Sequence, residues 1–256
     1  MRRIFLGYDA WKRQKHLLNR MQLKDLNWAY VTYPGIQTYF VLFIACVAAT
    51  LYWFGDPIAV AVSALAGVLV YPLAWYLLHR YVLHSNLLYR SPLTAGLWKR
   101  IHYDHHQHPN DLSVLFGGLH TTLPTILIVT GPIGYLIGGV SGASAAIAAA
   151  IAMTCFYEYC HCIQHLAYEP KSEFLKRIKK LHLAHHFHNE NGNYGITNYF
   201  WDRLLKTHYE EMTDMPRSPT VRNLGYTDEV AARYPWVAEL DAKTAEARRR
   251  EAAAAR

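Results

Sequence analysis

Ten of the fifteen histidines in this chain fall into four groups. His79 and His84 stand as HRYVLH, and His102, His105 and His106 as HYDHH. His161 and His165 stand as HCIQH, and His182, His185 and His186 as HLAHH. Two HxxHH triples in 256 residues are far more than this composition yields by chance. A neutral imidazole turns a ring-nitrogen lone pair outward, which makes histidine the commonest metal ligand. Residues at i, i+3 and i+4 share a helix face. Each triple can therefore present three imidazoles to one centre, and His161/His165 add an i, i+4 pair. His79 and His84 are five apart and diverge by about 140° on a straight helix. They either straddle a helix end or serve two different ions. Ten imidazoles exceed one coordination sphere, so two ions are the natural count. Imidazole suits iron, zinc, copper and nickel alike, and spacing leaves the metal open. A zinc protease is set aside because no HExxH occurs.

Other polar residues near these groups could support them. Glu158 precedes His161 by three on the same helix face, inside an apolar stretch. A carboxylate there could accept an imidazole N–H and set its tautomer. Asp104 inside HYDHH, and Asp202 beyond the last triple, could also orient ligands. His108 and His188 each follow an HH pair by two and could serve as spare ligands or outer partners.

The elements that must hold these groups are apolar. No Asp, Glu, Lys or Arg occurs in the 46 residues between Asp111 and Glu158, and Asp56 alone is charged between Asp25 and Arg80. Such gaps mark a polytopic membrane protein. The expected fold is all-α, with four transmembrane helices in two hairpins at about 36–54, 58–78, 119–139 and 143–163. Gly55-Asp56-Pro57 and Val140–Gly142 are the expected turns. A cytosolic segment (1–35) precedes the membrane domain (36–210), and a cytosolic tail (211–256) follows it. The four cysteines show no disulfide framework, and no cleavable signal peptide is visible. Seven Lys/Arg lie in the first 30 residues, four between Arg80 and Asp111, and five between Lys171 and Lys180, against none in either turn. The positive-inside rule then puts both termini, both long connections and every histidine group in the cytoplasm. These loops account for the +7 charge without nucleic acid.

HX4H, HX2HH, HX3H and HX2HH, in that order on an apolar chain, resemble the integral-membrane fatty acid hydroxylase and sterol desaturase superfamily. The likeness runs roughly from Leu78 to Thr207 and ends in HHFHNENGNYGITNYFWDRLLKT. It is greatest to fatty acid (ceramide) 2-hydroxylases. The resemblance implies His79, His84, His102, His105, His106, His161, His165, His182, His185 and His186 as ligands of a cytosolic dimetal cap. It implies two iron ions, with zinc a possible occupant on isolation, and O2 as co-substrate. An acyl chain of a fatty acid or a ceramide-like polar lipid would enter from the cytoplasmic leaflet and be hydroxylated. A sterol or carotenoid oxidase of the same superfamily is the alternative. A divalent-metal transporter fits less well, because transporters bind near the midplane and these groups gather at one face. No GxGxxG fingerprint or cysteine quartet is present, and no stretch is left over for a haem domain. Electrons are therefore expected from a separate ferredoxin or small haem protein and its reductase.

The charge asymmetry yields a topology test. Reporters at both termini and near Lys99 should read cytoplasmic, and reporters at Asp56 and Ser141 should read on the opposite side. A reporter near Lys99 reading opposite to the termini would separate the histidine groups across the membrane and end the shared-site reading.

Overall fold

The computed structural model describes residues 16–254. The first fifteen residues, which carry five of the seven N-terminal basic residues used above, lie outside the described residues. The described chain is helical, and its one β feature is an isolated bridge between Leu17 and Asp111. Helix α1 (Leu23–Thr32) leads into α2 (Pro34–Tyr52). A proline opens α2 at a position where its missing N–H has no partner to lose. Asp56 then caps α3 (Pro57–Leu78) by accepting from the Ile58 and Ala59 N–H groups at 3.1 and 3.2 Å.

Helix α3 runs on beyond Leu78 into one π-helical turn, His79–Leu83, closed by the His84 N–H on the His79 carbonyl at 3.0 Å. A second π turn, Lys99–Tyr103, joins α4 (Pro92–Trp98) to α5 (Asp104–Gln107). After a short α6 (Leu112–Leu115), the chain enters α7 (Leu119–His165). Among the described residues, three segments are long and apolar enough to cross a membrane: Pro34–Tyr52, Pro57–Leu83 and Leu112–His165. Their outer faces stay apolar: Leu136 is 85% exposed, Ile128 73% and Ile58 71%. Such a surface suits lipid rather than water.

The third segment is not straight. Gly138 (φ −140°, ψ 24°) and Gly139 (φ +60°, ψ −144°) interrupt its helical backbone. The positive φ at Gly139 excludes most side chains. Beyond this break the two arms pack back to back. A Cβ on Gly142 would overlap the Gly134 carbonyl oxygen, and one on Gly134 would overlap that of Gly142. Eight residues of straight helix would hold these positions about 12 Å apart. The chain thus reverses at Gly138-Gly139, and the turn expected at Val140–Gly142 is corrected to this position. Residues 140–142 already belong to the second arm.

The soluble side is closed by α8 (Glu173–Phe187), α9 (Phe200–Leu204), α10 (Asp228–Arg233) and α11 (Trp236–Ala254). Residues 221–241 pack against the rest of the described chain. Tyr226 and Val237 pack with Tyr89 and Trp98 in a small buried core. Lys99 bridges Asp104 at 2.5 Å and Asp241 at 2.9 Å, tying α11 to the second π turn.

The close approach of the two α7 arms is testable. Gly142→Val should destabilise the solubilised protein by roughly 1–3 kcal/mol, the usual cost of overpacking. Gly55→Val, where an added Cβ meets no atom within 4 Å, should leave the melting temperature unchanged. Equal melting temperatures for both variants would contradict the packing described.

Candidate metal centre

Ten imidazoles converge where α3, α5, α7 and α8 meet. They form two groups of five: His79, His84, His102, His106 and His185 in one, and His105, His161, His165, His182 and His186 in the other. One ring nitrogen from each member lies within 4.8 Å of the others in its group. All ten are buried except His84, which is partly buried.

The π turn decides the place of the first pair. A π-helix, hydrogen-bonded from i to i+5, turns less per residue than an α-helix, which brings positions five apart toward one face. His79 and His84 therefore face the same way, and their Nε2 atoms stand 3.1 Å apart. The 140° divergence expected on a straight helix does not arise, and the two residues share one group. His84 Nε2 is in turn 2.8 Å from His102 Nε2. The triples behave differently from expectation as well. HYDHH sends His102 and His106, an i, i+4 pair, to the first group and His105 to the second. HLAHH does the reverse, sending His182 and His186 to the second and His185 to the first. Neither triple serves one centre. His106 and His186, from opposite groups, stack at 4.1 Å with planes 30° apart.

Three rings of the first group are oriented from behind by backbone carbonyls. His79 Nδ1 donates to Tyr194 O at 2.6 Å, His185 Nδ1 to Gly192 O at 2.7 Å, and His106 Nδ1 to Val221 O at 3.1 Å. A carbonyl can only accept, so each Nδ1 carries the proton and each Nε2 keeps its lone pair. Gly192 and Tyr194 lie in the glycine-bearing loop after HLAHH. Val221 lies in the segment expected to be a tail. Backbone acceptors leave no mark in residue type, so sequence reasoning missed all three.

The supporting polar residues fall elsewhere than expected. Glu158 is buried, but its Oε1 accepts from the Gly117 N–H at 3.0 Å rather than from an imidazole. It lines a small cavity with His105, His161 and His186. Asp104 is held by Lys99. Asp202, fully buried, accepts from the Tyr194 and Gly195 N–H groups and from the Thr207 hydroxyl, each at 2.8 Å. It fixes the peptide whose carbonyl holds His79, one step removed from the rings. His108 is exposed, and His188 donates from Nε2 to Met215 O at 2.8 Å. Neither joins a group.

The donor set fits metal ions. His105 Nδ1 and Nε2, His106 Nε2, His161 Nε2 and His185 Nε2 are buried without a hydrogen-bond partner. Orphaned buried nitrogens are costly unless something accepts their lone pairs. Two nitrogens each ~2.1 Å from one ion and at right angles would stand ~3.0 Å apart, close to the 3.0 Å between His165 Nε2 and His182 Nε2. Burial, reinforced by neighbouring imidazoles, pushes His84, His102, His105, His106, His182 and His186 well below the usual range. Burial lowers His185 to about 4. These rings are neutral at pH 7 and ready to ligate.

A folded-state pKa below the unfolded value of about 6.5 means that the unfolded chain binds more protons in acid. Stability from these groups is complete above about pH 6.5 and is lost as pH falls toward 4. Bound metal should leave, and the melting temperature fall, over the same interval. Full metal retention after gel filtration at pH 4.5 would contradict this.

Comparisons with known proteins agree with the geometry. The fatty acid hydroxylase family matches residues 64–207. A dihydroceramide fatty acyl 2-hydroxylase of Arabidopsis thaliana is 30% identical over 147 residues, 55% of this chain and 58% of that protein. A ceramide very long chain fatty acid hydroxylase of Saccharomyces cerevisiae is 29% identical over 149 residues, 56% of this chain and 36% of that protein. The alignments thus span between about a third and three-fifths of these relatives. The solved hydroxylase domain of full-length scs7p has the same fold, with a TM-score of 0.60 at 24% identity, covering 72% of this chain and 68% of that one. The match covers more than half the chain and contains all ten clustered histidines, so the chain belongs to the fatty acid hydroxylase family.

Proposed function

We propose that this protein is a membrane-bound, two-iron lipid hydroxylase that inserts one atom of O2 into an acyl chain. The observation that carries this reading is the pair of all-imidazole groups, five buried histidines each, opening on a cavity that meets the membrane segments. All ten clustered histidines are read as ligands. An iron pair held there would supply the reduction of O2 and the oxidising power for a C–H bond; zinc in the same sites would be inert to redox. The balance is R–H + O2 + 2 e⁻ + 2 H⁺ → R–OH + H2O, which requires an external donor and its reductase.

The residues of the chain position the substrate. A second, apolar pocket, lined by Tyr71, Ala74, Leu78, Ile126 and Val129, shares Trp75 with the histidine-lined one. An acyl tail lying in the apolar cavity would pass Trp75 and offer a carbon near its head to the imidazole groups. Names of the relatives specify fatty acyl 2-hydroxylation, and that carbon position is the one proposed here for a ceramide-like or free fatty acyl substrate. The two arms of α7 are read as two crossings, giving four in all. The histidine groups, both termini and the docking face for the donor lie on the cytoplasmic side, following the basic loops.

The test is isotopic. Protein reconstituted in lipid with ferrous iron, a donor and ¹⁸O2 should form lipid heavier by one labelled oxygen atom. Replacing His106 or His185 by Ala should abolish the product and lower metal content, with the protein still in the membrane. Unlabelled oxygen in the product, or full turnover in both variants, would end the proposal.

A further inference from the structure

Resting on the oxygenase reading, we infer that electrons enter through Phe187, and that Phe187 with Arg222 and Arg217 forms the docking spot for an acidic one-electron donor protein. Phe187 ends α8 and is 45% exposed, whereas the preceding His186 is 1% exposed. Their ring centroids are 6.4 Å apart. His186 belongs to the second group and stacks on His106 of the first. One surface ring thus reaches both groups through two imidazoles.

Charge distinguishes this spot from the basic face of α8. Along α8, Lys176, Arg177 and Lys180 already pair with Glu173, Glu210 and Glu211. Arg222 has no carboxylate in ion-pair contact among the described residues. It is partly buried, lies 5.4 Å over the Phe187 ring, and donates to the carbonyl of Gln107, beside His106. A partly desolvated cation without a counter-charge is costly until a carboxylate reaches it. Arg217 adds an exposed cation in the strand of chain that bonds back to His188 through the Ser218 N–H at 2.9 Å. An aromatic ring with arginines is also the composition that protein interfaces favour. The rival route, Arg80 over Tyr194, lies at the end of the α3 membrane segment. Tyr194 is only 7% exposed there, and Arg80 is already bonded to the Tyr76 hydroxyl at 2.8 Å.

Two electrons, delivered singly by the donor, would reduce O2 together with the pair taken from the C–H bond. The donor is oxidised twice per product formed.

The full chain in lipid nanodiscs would be titrated, metal-free, with an acidic [2Fe–2S] ferredoxin and with an acidic small haem protein. The iron-loaded chain would then be mixed with the reduced donor and donor oxidation followed. Phe187→Leu, Arg217→Glu and Arg222→Glu should weaken binding and slow donor oxidation by about tenfold or more, and flatten the salt dependence. Arg80→Glu should stay within about twofold of the parent protein. Single turnover driven by dithionite should give parent-level product in Phe187→Leu and Arg217→Glu, which also shows that the centre is intact. Parent-like binding and oxidation in those two variants, a defect confined to Arg80→Glu, or no binding of either donor by the parent would overturn the proposal. Absence of product from the parent with dithionite would instead fail the oxygenase reading, leaving the docking result to stand or fall on binding.

Discussion

The structure turns on a reciprocal exchange between two helical triples. Each HxxHH lies on one helix, yet each sends its i and i+4 rings to one group and its i+3 ring to the other. Neither group can form unless both helices are in place, because each contains residues from α5 or its π turn and from α8. The remaining ligand candidates follow from that exchange. The end of α3 supplies His79 and His84 to one group, and the inner end of α7 supplies His161 and His165 to the other. A helix packing that had only to bury apolar surface could slide; this one must match nitrogen positions to within a few tenths of an ångström.

The two π turns serve this requirement. An i to i+5 hydrogen-bond pattern is rare and sits mostly at functional sites. Here one turn folds His79 and His84 onto a single face, and the other carries His102 into the same group. Both are pinned from outside the centre. Trp98 Nε1 donates to Leu83 O at 2.7 Å, closing one turn on the other. Lys99 spans Asp104 and Asp241 at the start of the second. The irregular backbone is thus held by packing and ion pairs.

Much of this was legible in the chain itself. Uncharged stretches locate α2, α3 and α7, because charge is expensive in hydrocarbon. The histidine spacing names every imidazole that meets at the centre. What spacing alone could not show is which ring joins which group. The pairing of His79 with His84 depends on a π turn, and standard helical geometry forbids it. The split of each triple depends on tertiary packing, which local periodicity does not encode. Glu158 and Asp202 illustrate a second limit: both are buried carboxylates near histidines, but Glu158 gives one oxygen, and Asp202 both of its oxygens, to backbone N–H groups. The carbonyls of Gly192, Tyr194 and Val221 illustrate a third, since every residue type carries the same acceptor. The chain reverses at Gly138-Gly139, just ahead of the Val140–Gly142 turn that the sequence suggests.

The bond from His106 to Val221 spans 115 positions, and it has a consequence in time. A ribosome makes the N-terminal part first. All ten clustered imidazoles are synthesised before Val221, and Asp241 comes later still. During translation the first group therefore exists with one of its rings unsupported and the α11 clasp on Lys99 not yet made. The last elements that clasp the histidine groups are thus the last to be made.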